Sequence, residues 1–429
     1  MRGPRRHSAL HSGPNVRKKT MNQDITSRDA QWRVSLRDAM SARERTAIPR
    51  TQMPELDPAY RITCNDEVQQ GLTPEQAVAE ATRCLDCPDP GCMQGCPVSI
   101  NIPAFVKNIQ RGRTAEAARV LRMTSTLPAV CGRVCPQERQ CESKCLYVKM
   151  KKPAVAIGWL ERFAADCGNG DETTETAKKN GIRIAVAGSG PAGLSFAGTM
   201  ASFGYDVTVY EALHEIGGVL KYGIPEFRLP NKVVDREIDA MRRAGVSFVR
   251  DVIVGKTLSY EDLLAEGYKG IFVASGAGLP RFMGIPGENL IGVMSSNEYL
   301  TRINLMGAGR EGYATPVRHG RRVAVIGGGN TAMDSVRTAL RNGAEKAMIV
   351  YRRSEAEMPA RLEEIHHAKQ EGVEFMTLHN PEEYIGNEKG EVTAMVLRRM
   401  TLGEPDASGR RRPVPVEGED GRVVVPVDE

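Results

Sequence analysis

Two glycine-rich strand–loop–helix stretches, preceded by a block of eight cysteines, predict an α/β chain: a small helical domain stapled by metal, followed by two Rossmann-like dinucleotide-binding units. A length of 429 residues holds two or three such domains, and 41% hydrophobic content supports real cores. No apolar run reaches the roughly eighteen residues of a membrane span, and the basic opening of the sequence has no apolar stretch of signal-peptide type. A cytoplasmic location is the expectation.

The opening MRGPRRHSALHSGPNVRKKT carries six Lys or Arg, more than the whole formal net charge of +5. Residues 21–429 are close to neutral and give no nucleic-acid footprint. This leader reads as a disordered basic arm, a transit-like segment or, most plainly, an over-extended start ahead of Met21. Residues 1–44 are expected to be a basic, disordered leader and entry segment, and the basic leader is given no function.

The cysteines come in two groups, RCLDCPDPGCMQGCP with Cys84, Cys87, Cys92 and Cys96, and CGRVCPQERQCESKC with Cys131, Cys135, Cys141 and Cys145. Cys64 and Cys167 stand apart as ordinary thiols. Disulfides fit poorly, because nothing around them points to a secreted chain. Structural zinc fits better, since two CxxC-like pairs can make a four-sulfur site. The spacing C-x2-C-x4-C-x3-C-P favours iron-sulfur: it resembles the ferredoxin run, with a longer second gap, in which the last cysteine before proline serves the other cluster. Eight cysteines can supply two [4Fe-4S] clusters by exchanging ligands between the groups. Between them, IPAFVKNIQRGRTAEAARVLRMTSTLP has helical apolar spacing broken after Gln110, which predicts two short helices.

Beyond the polar linker CGNGDETTETAKKNG, the first nucleotide unit places a buried strand at Ile184 to Ala187, GxGxxG at Gly188, Gly190 and Gly193, a helix from Leu194 to Phe203, and a second strand from Val207 to Tyr210 ending at Glu211. Gly188 makes the tight turn, Gly190 lets the backbone approach a pyrophosphate, and Gly193 lets helix pack on strand. Glu211 is placed for ribose hydroxyls. FVASGAGLP, with Gly276, reads as the strand-to-loop exit of this unit.

The second unit runs from Val323 to Ile326, through Gly327 and Gly329 with Ala332 in the third small position, into a helix from Asn330 through Thr331 to Arg341. Its second strand, Ala347 to Tyr351, ends in Arg352 and Arg353 where an acid would meet a 2′-hydroxyl. Two guanidinium groups suit a 2′-phosphate, which selects NADPH over NADH. Arg361 either adds to this patch or sits on a plain surface helix, and His366 with His367 reads as solvated. Two nucleotide sites imply a flavin beside the nicotinamide, because a hydride must be divided before iron-sulfur centres can carry its electrons singly.

The order of these parts resembles the small (beta) subunit family of NADPH-dependent glutamate synthase and the related amino-terminal half of dihydropyrimidine dehydrogenase. The resemblance rests on the two cysteine runs, AGSGPAGL, EIGGVLKYGIPEFRLP, IGGGNTAMD and VYRRSEAEMPA. It implies a helical iron-sulfur domain over 45–170, an FAD domain over 181–295 and an NADPH domain over 296–429 inserted in the FAD domain. FAD would lie on Gly188, Gly190, Gly193 and Glu211, with Gly218, Val219 and Arg228 beside its isoalloxazine. Cys84, Cys87, Cys92 and Cys145 would hold one cluster and Cys96, Cys135 and Cys141 the other, completed by Glu161, whose counterpart in dihydropyrimidine dehydrogenase is a side-chain oxygen. That leaves Cys131 spare, against the eight-cysteine count from spacing, and both alternatives stay open. The relatives' returning Gly-Asp motif at the flavin is missing from RRPVPVEGEDGRVVVPVDE, so a truncated FAD site is an expectation.

The activity so implied is transfer of electrons from NADPH through FAD and two [4Fe-4S] clusters to a partner, with no catalytic acid, base or nucleophile. In glutamate synthase that partner is a large subunit forming glutamate from 2-oxoglutarate and glutamine; PRTQMPELDPAYR also resembles homo-oligomeric variants. The alternatives are the flavoprotein subunit of a ferredoxin:NADP oxidoreductase, a dihydropyrimidine dehydrogenase-like reductase, or a non-catalytic iron-sulfur module.

Overall fold

The computed structural model describes residues 24–168 and 177–429. The basic leader through residue 23 and residues 169–176 of the polar linker lie outside the described residues. The chain divides into two compact units: 24–53 with 71–168, and 54–70 with 177–429.

The first unit is helical. Its longer helices are α1 (Gln31–Asp38), α2 (Pro74–Thr82), α3 (Ile102–Gln110), α4 (Thr114–Arg122), α5 (Pro128–Val134) and α6 (Ile157–Cys167). Several starts are written locally. Thr73 and Gln76 form a reciprocal capping box on α2, Asn101 accepts from Ala104 N at 3.2 Å on α3, and proline stands in the first turn of α2, α3 and α5. The turn between α3 and α4 falls at Gly112, which takes a left-handed φ of 71°. Residues 102–109 of α3 are buried all round, so this helix is the axis on which α2, α4 and α6 pack.

Residues 24–44 correct the expectation of a disordered lead-in. Arg33 of α1 is buried and donates through Nε at 3.0 Å to both oxygens of Asp86, and Arg37 donates to the same carboxylate at 2.7 Å. Asp86 itself has φ 53°, a strained choice for a non-glycine residue, and two arginines hold it there.

The second unit carries two parallel sheets. Strands β1 (Arg183–Ala187), β2 (Asp206–Tyr210), β3 (Ser247–Val249) and β4 (Tyr268–Val273) run in the order β3-β2-β1-β4, with α7 (Pro191–Ser202) and α8 (Asn231–Arg243) as crossovers. Ala185 and Val186 are fully buried, as a strand covered on both faces requires, and Phe196 of α7 stacks on Phe272 of β4 at 4.1 Å. Further on, β5 (Arg322–Ile326), β6 (Lys346–Tyr351) and β7 (Glu374–Thr377) form the second sheet in chain order, crossed by α9 (Asn330–Arg341) and α10 (Leu362–Gln370). The remaining strands make an antiparallel sheet, in which the 14-residue β9 (Val392–Pro405) pairs with β8 (His379–Gly386), β10 (Arg411–Pro415) and β11 (Arg422–Pro426). Its Met395 and Leu397 pack with Met348 and Val350 of β6.

Residues 54–70, expected within the helical domain, fold instead with the second unit. Val68 N donates to Phe227 O at 2.9 Å, Arg341 Nε to Cys64 O at 3.1 Å, and the buried Arg61 guanidinium reaches Glu371 at 2.7 Å.

Candidate functional site

Glycines press the two cysteine runs of the first unit together. A Cβ on Gly91 would stand 2.9 Å from Lys144 O, and one on Gly95 2.7 Å from Gln140 O, so GCMQGC lies directly on the turn that carries Cys141 and Cys145. Likewise a Cβ on Gly132 would come within 2.5 Å of Arg162 N. Helices α5 and α6 therefore cross with backbones touching, and Cys131 and Cys135 meet Glu161.

The charges of the thiols sort them into two sets. Burial pushes up the Cys92 thiol, and its next influences are Cys84, Cys145 and Cys87; burial likewise raises Cys87, followed by Cys84 and Cys145. Burial raises Cys141, followed by Glu142, Glu161 and Cys96, while Cys131 is raised by its hydrogen bond with Cys135, then by burial and Glu161. Cys84, Cys87, Cys92 and Cys145 are thus one neighbourhood, and Cys96, Cys131, Cys135, Cys141 and Glu161 another. Both Cys131 and Glu161 stand beside Cys135.

Glu161 is buried, its pKa is driven well up by burial and then by Cys135, and its Oε1 has no hydrogen-bond partner. A buried oxygen left without a donor is costly unless it ligates a cation. Among the described residues no three His, Cys, Asp or Glu side chains are close enough to hold a single metal ion. A polynuclear cluster is larger than one ion and its donors stand farther apart; the soft, largely half-buried thiols in two sets fit iron-sulfur chemistry. Binding would release the thiol protons that burial retains.

Sequence reasoning missed Lys107. Its ammonium is fully buried on α3 and donates to Cys84 O at 2.5 Å and Gln110 Oε1 at 2.7 Å, while burial draws its pKa down to about 8. A lysine beside Asn108 in the otherwise apolar IPAFVKNI was the available signal.

In the second unit the first glycine loop joins β1 to α7. Gly188 has φ 105°, and any side chain there would run into the Ala274 carbonyl; a Cβ on Gly193 would run into the Gly188 carbonyl; Gly190 faces open space. The loop is thus closed by two glycines and left open at the third, where a pyrophosphate needs room. Glu211, at the end of β2, is buried and accepts from Ser189 N and Leu213 N, each at 2.9 Å, and from the Ser189 hydroxyl. Ser189 Oγ in turn accepts from Gly217 N at 2.9 Å, which draws the Gly217–Gly218 turn over the loop, and a Cβ on Gly218 would stand 2.7 Å from Gly190 Cα. Val219 starts the short helix Val219–Tyr222. Arg228 does not face this loop as a free cation: it is buried and pairs with Asp334 at 2.7 Å.

The second loop joins β5 to α9. Gly327 takes φ 141°, and Gly328, which the motif leaves unassigned, lies so close to Tyr351 that a Cβ would come within 2.9 Å of the ring. Gly327, Gly329, Thr331 and Ala332 line a cavity of about 460 Å³. Asn330 Oδ1 accepts from Arg361 N at 2.9 Å and so ties the start of α10 to the loop. The arginine pair divides. Arg352 is exposed, whereas Arg353 is buried and committed to Asp406 at 2.6 Å and Arg411 O at 2.7 Å, which corrects its assignment as an open anion donor. Arg361 is buried at the start of α10, with Glu363 at 2.7 Å, and is not on a plain surface. His367 is also buried rather than solvated: its Nε2 is 2.9 Å from Glu55.

Known proteins match this arrangement part by part. Residues 61–173 match the family described as dihydropyrimidine dehydrogenase domain II, 4Fe-4S cluster, and residues 182–406 match the pyridine nucleotide-disulphide oxidoreductases. The glutamate synthase [NADPH] small chain of Halomonas elongata is 38% identical over 389 residues, 88% of this chain and 80% of that one. The protein UacF of Escherichia coli is 36% identical over 395 residues, 89% of this chain and 61% of UacF. The NADPH-Fe(3+) oxidoreductase subunit beta of Geobacter sulfurreducens is 39% identical over 349 residues, 80% of this chain and 50% of that subunit. No helix among the described residues is long and apolar enough to cross a membrane. With an iron-sulfur domain ahead of a flavin- and nicotinamide-binding fold, the chain belongs to the family of the glutamate synthase NADPH small chain and is an NADPH-dependent oxidoreductase.

Proposed function

We propose that this chain is the electron-input subunit of a glutamate synthase, drawing on NADPH and supplying, through FAD and two [4Fe-4S] clusters, a large subunit that forms glutamate from 2-oxoglutarate and glutamine. The observation that carries the reading is the sorting of the cysteine-block donors into two separate neighbourhoods, in a chain that also has two dinucleotide loops. When bound, NADPH supplies a hydride to the flavin, which divides it into single electrons for the clusters.

The protein's own residues orient and shield. Gly188, Gly190 and Gly193 would hold the FAD pyrophosphate, with Glu211 on the ribose side and the Gly217–Gly218 turn and Val219 above the loop. Gly327, Gly329, Asn330, Thr331 and Ala332 would hold that of NADPH. Arg352 would take the 2′-phosphate, and Arg228 would act through Asp334 rather than on the flavin. Cys84, Cys87, Cys92 and Cys145 would ligate one cluster, and Cys96, Cys135 and Cys141 the other, with Glu161 or Cys131 as the fourth donor. Hydride transfer needs no acid or base, so placement of the two rings is the chain's catalytic contribution.

Anaerobic purification tests this directly. About eight irons and one FAD per chain, bleached by NADPH, are expected for two [4Fe-4S] clusters; glutamate formation from 2-oxoglutarate and glutamine on addition of an amidotransferase-type large subunit completes the case. A second reading, a reductase for another acceptor, is favoured by 39% identity to the NADPH-Fe(3+) oxidoreductase subunit, against 38% to the Halomonas elongata small chain. It predicts turnover with a small iron acceptor that no large subunit improves. For Arg352→Ser the expected result is a rise of about tenfold in KM for NADPH with KM for NADH unmoved, the loss of one exposed phosphate contact. Equal effects on both coenzymes would remove Arg352 from the 2′-phosphate site.

A further inference from the structure

The two thiol neighbourhoods differ in a buried cation: Lys107 stands on the Cys84 side. On the Cys84 side, Lys107 donates to the Cys84 carbonyl at 2.5 Å, and Gln110 Oε1 accepts from it at 2.7 Å and from Arg45 at 3.5 Å. Asp86, between Cys84 and Cys87, is already answered by Arg33 and Arg37. Arg45, Lys107, Arg33 and Arg37 stand on this side against Asp86, and Glu142, which acts on Cys145, is paired with Arg50 at 3.0 Å. Around Cys141 the acidic side chains are Glu142, which Cys145 shares, and the buried Glu161.

We propose that Lys107 is a tuning residue: its buried ammonium, held on the Cys84 carbonyl, raises the reduction potential of the iron-sulfur centre at Cys84, Cys87, Cys92 and Cys145 above that of the centre at Cys96, Cys135 and Cys141. This rests on the two-cluster reading above. One-electron reduction adds one negative charge to a centre, and a cation fixed nearby in a medium of low dielectric stabilises the reduced form more than the oxidised one. Glu142 acts on thiols of both centres, Cys141 and Cys145, and so does not separate them; the ammonium of Lys107 does. The electron then rests on the Cys84 side, which makes that centre the reservoir of the pair. Lys107 touches a ligand's backbone and no reacting atom, so it is a positioning charge and not a catalytic residue.

The test is an EPR-monitored redox titration of the anaerobically purified full chain, with iron counted in every sample. In Lys107→Met the higher of the two one-electron waves is expected to fall by at least tenfold in its reduction equilibrium, about 59 mV for one electron, while the lower wave stays. Lys107→Arg is expected to restore it. Gln110→Glu, at a half-buried position, keeps the lysine but sets a carboxylate against both Lys107 and Arg45, and is expected to lower the same wave. This variant decides the matter if Lys107→Met fails to hold iron. Two waves unmoved in an iron-replete variant, or movement of the lower wave instead, would overturn the assignment. A wild-type chain without two clusters' worth of iron would instead bring down the two-cluster reading.

Discussion

Glu371→Ala is expected to cost the second unit about 3–5 kcal/mol, the range for removing one partner from a buried ion network. One carboxylate answers three guanidinium groups: Arg61 at 2.7 Å, Arg337 at 2.8 and 3.0 Å, and Arg341 at 2.8 Å. Arg61 and Arg337 are about 1% exposed, so neither can turn to water once Glu371 is gone. What remains is a partial substitute: Glu364 for Arg337, His367 O at 3.2 Å and Gln370 Oε1 at 2.8 Å for Arg61, and the Phe227 ring 3.9 Å from Arg341 and 4.7 Å from Arg337. The exposed pair Lys369–Glu355, at 2.7 Å on the same part of the fold, is the control: Glu355→Ala is expected to move stability by no more than about 1 kcal/mol. Urea denaturation of both variants against the parent checks the difference. Equal, small losses would mean that the network relaxes without its centre.

The same network fixes a pH dependence. Burial alone would raise Glu371, but the hydrogen bonds and charges of Arg337 and Arg341 outweigh it and hold the carboxyl at about 2; Glu364 is likewise brought to about 2, against burial, by Arg228 and Arg337. Both lie below the ordinary 4.5, so their stabilisation is present above pH 4.5 and is lost as pH falls toward 2. For Glu371 this amounts to about 3 kcal/mol, at roughly 1.4 kcal/mol per pKa unit. Asp334 runs the other way: burial raises it to about 6 despite Arg228, so its contribution declines as pH rises from its ordinary 3.8 through 6. Denaturation midpoints between about pH 2.5 and 7, a window set by these shifts, should show a steep acid limb that shrinks in Glu371→Ala and a shallower decline above it that Asp334→Asn removes.

Some of this was legible in sequence because it is local. Gly188, Gly190 and Gly193 act within one turn, and each does what its place in the motif dictates. Glu211 closes the strand that the loop opens onto. The failures involve partners far along the chain. Arg353 reads as an open cation until Asp406, 53 residues on, takes it, and His367 reads as solvated until Glu55, 312 residues away, covers it. Spacing alone could not divide the cysteines either, since the division depends on Gly91, Gly95 and Gly132 letting backbones touch. The antiparallel sheet over 379–426 was not anticipated, because its pairing is set by the long β9 and not by a loop motif.

Gly190→Val is expected to fold normally and lose its flavin, while Gly193→Ala is expected to lose both. The two residues belong to one motif and differ in what surrounds them. Gly190 has an extended backbone, φ −66° and ψ −180°, which any residue adopts, and nothing lies within 4 Å of the added Cβ. The Cβ of valine there has open space around it, and its methyls extend into the space above the loop. If that space takes the FAD pyrophosphate, affinity falls by at least about 100-fold, near 3 kcal/mol, while the apo chain keeps its denaturation midpoint. A Cβ at Gly193 collides with the Gly188 carbonyl, so α7 must lift from β1 at a cost of about 1–3 kcal/mol from overpacking. Its flavin loss would then follow from the damaged helix–strand packing. Counting FAD against the unfolding midpoint separates the two failures. A Gly190→Val chain that retains flavin would place the cofactor elsewhere, because its own backbone has no other reason to leave that position bare.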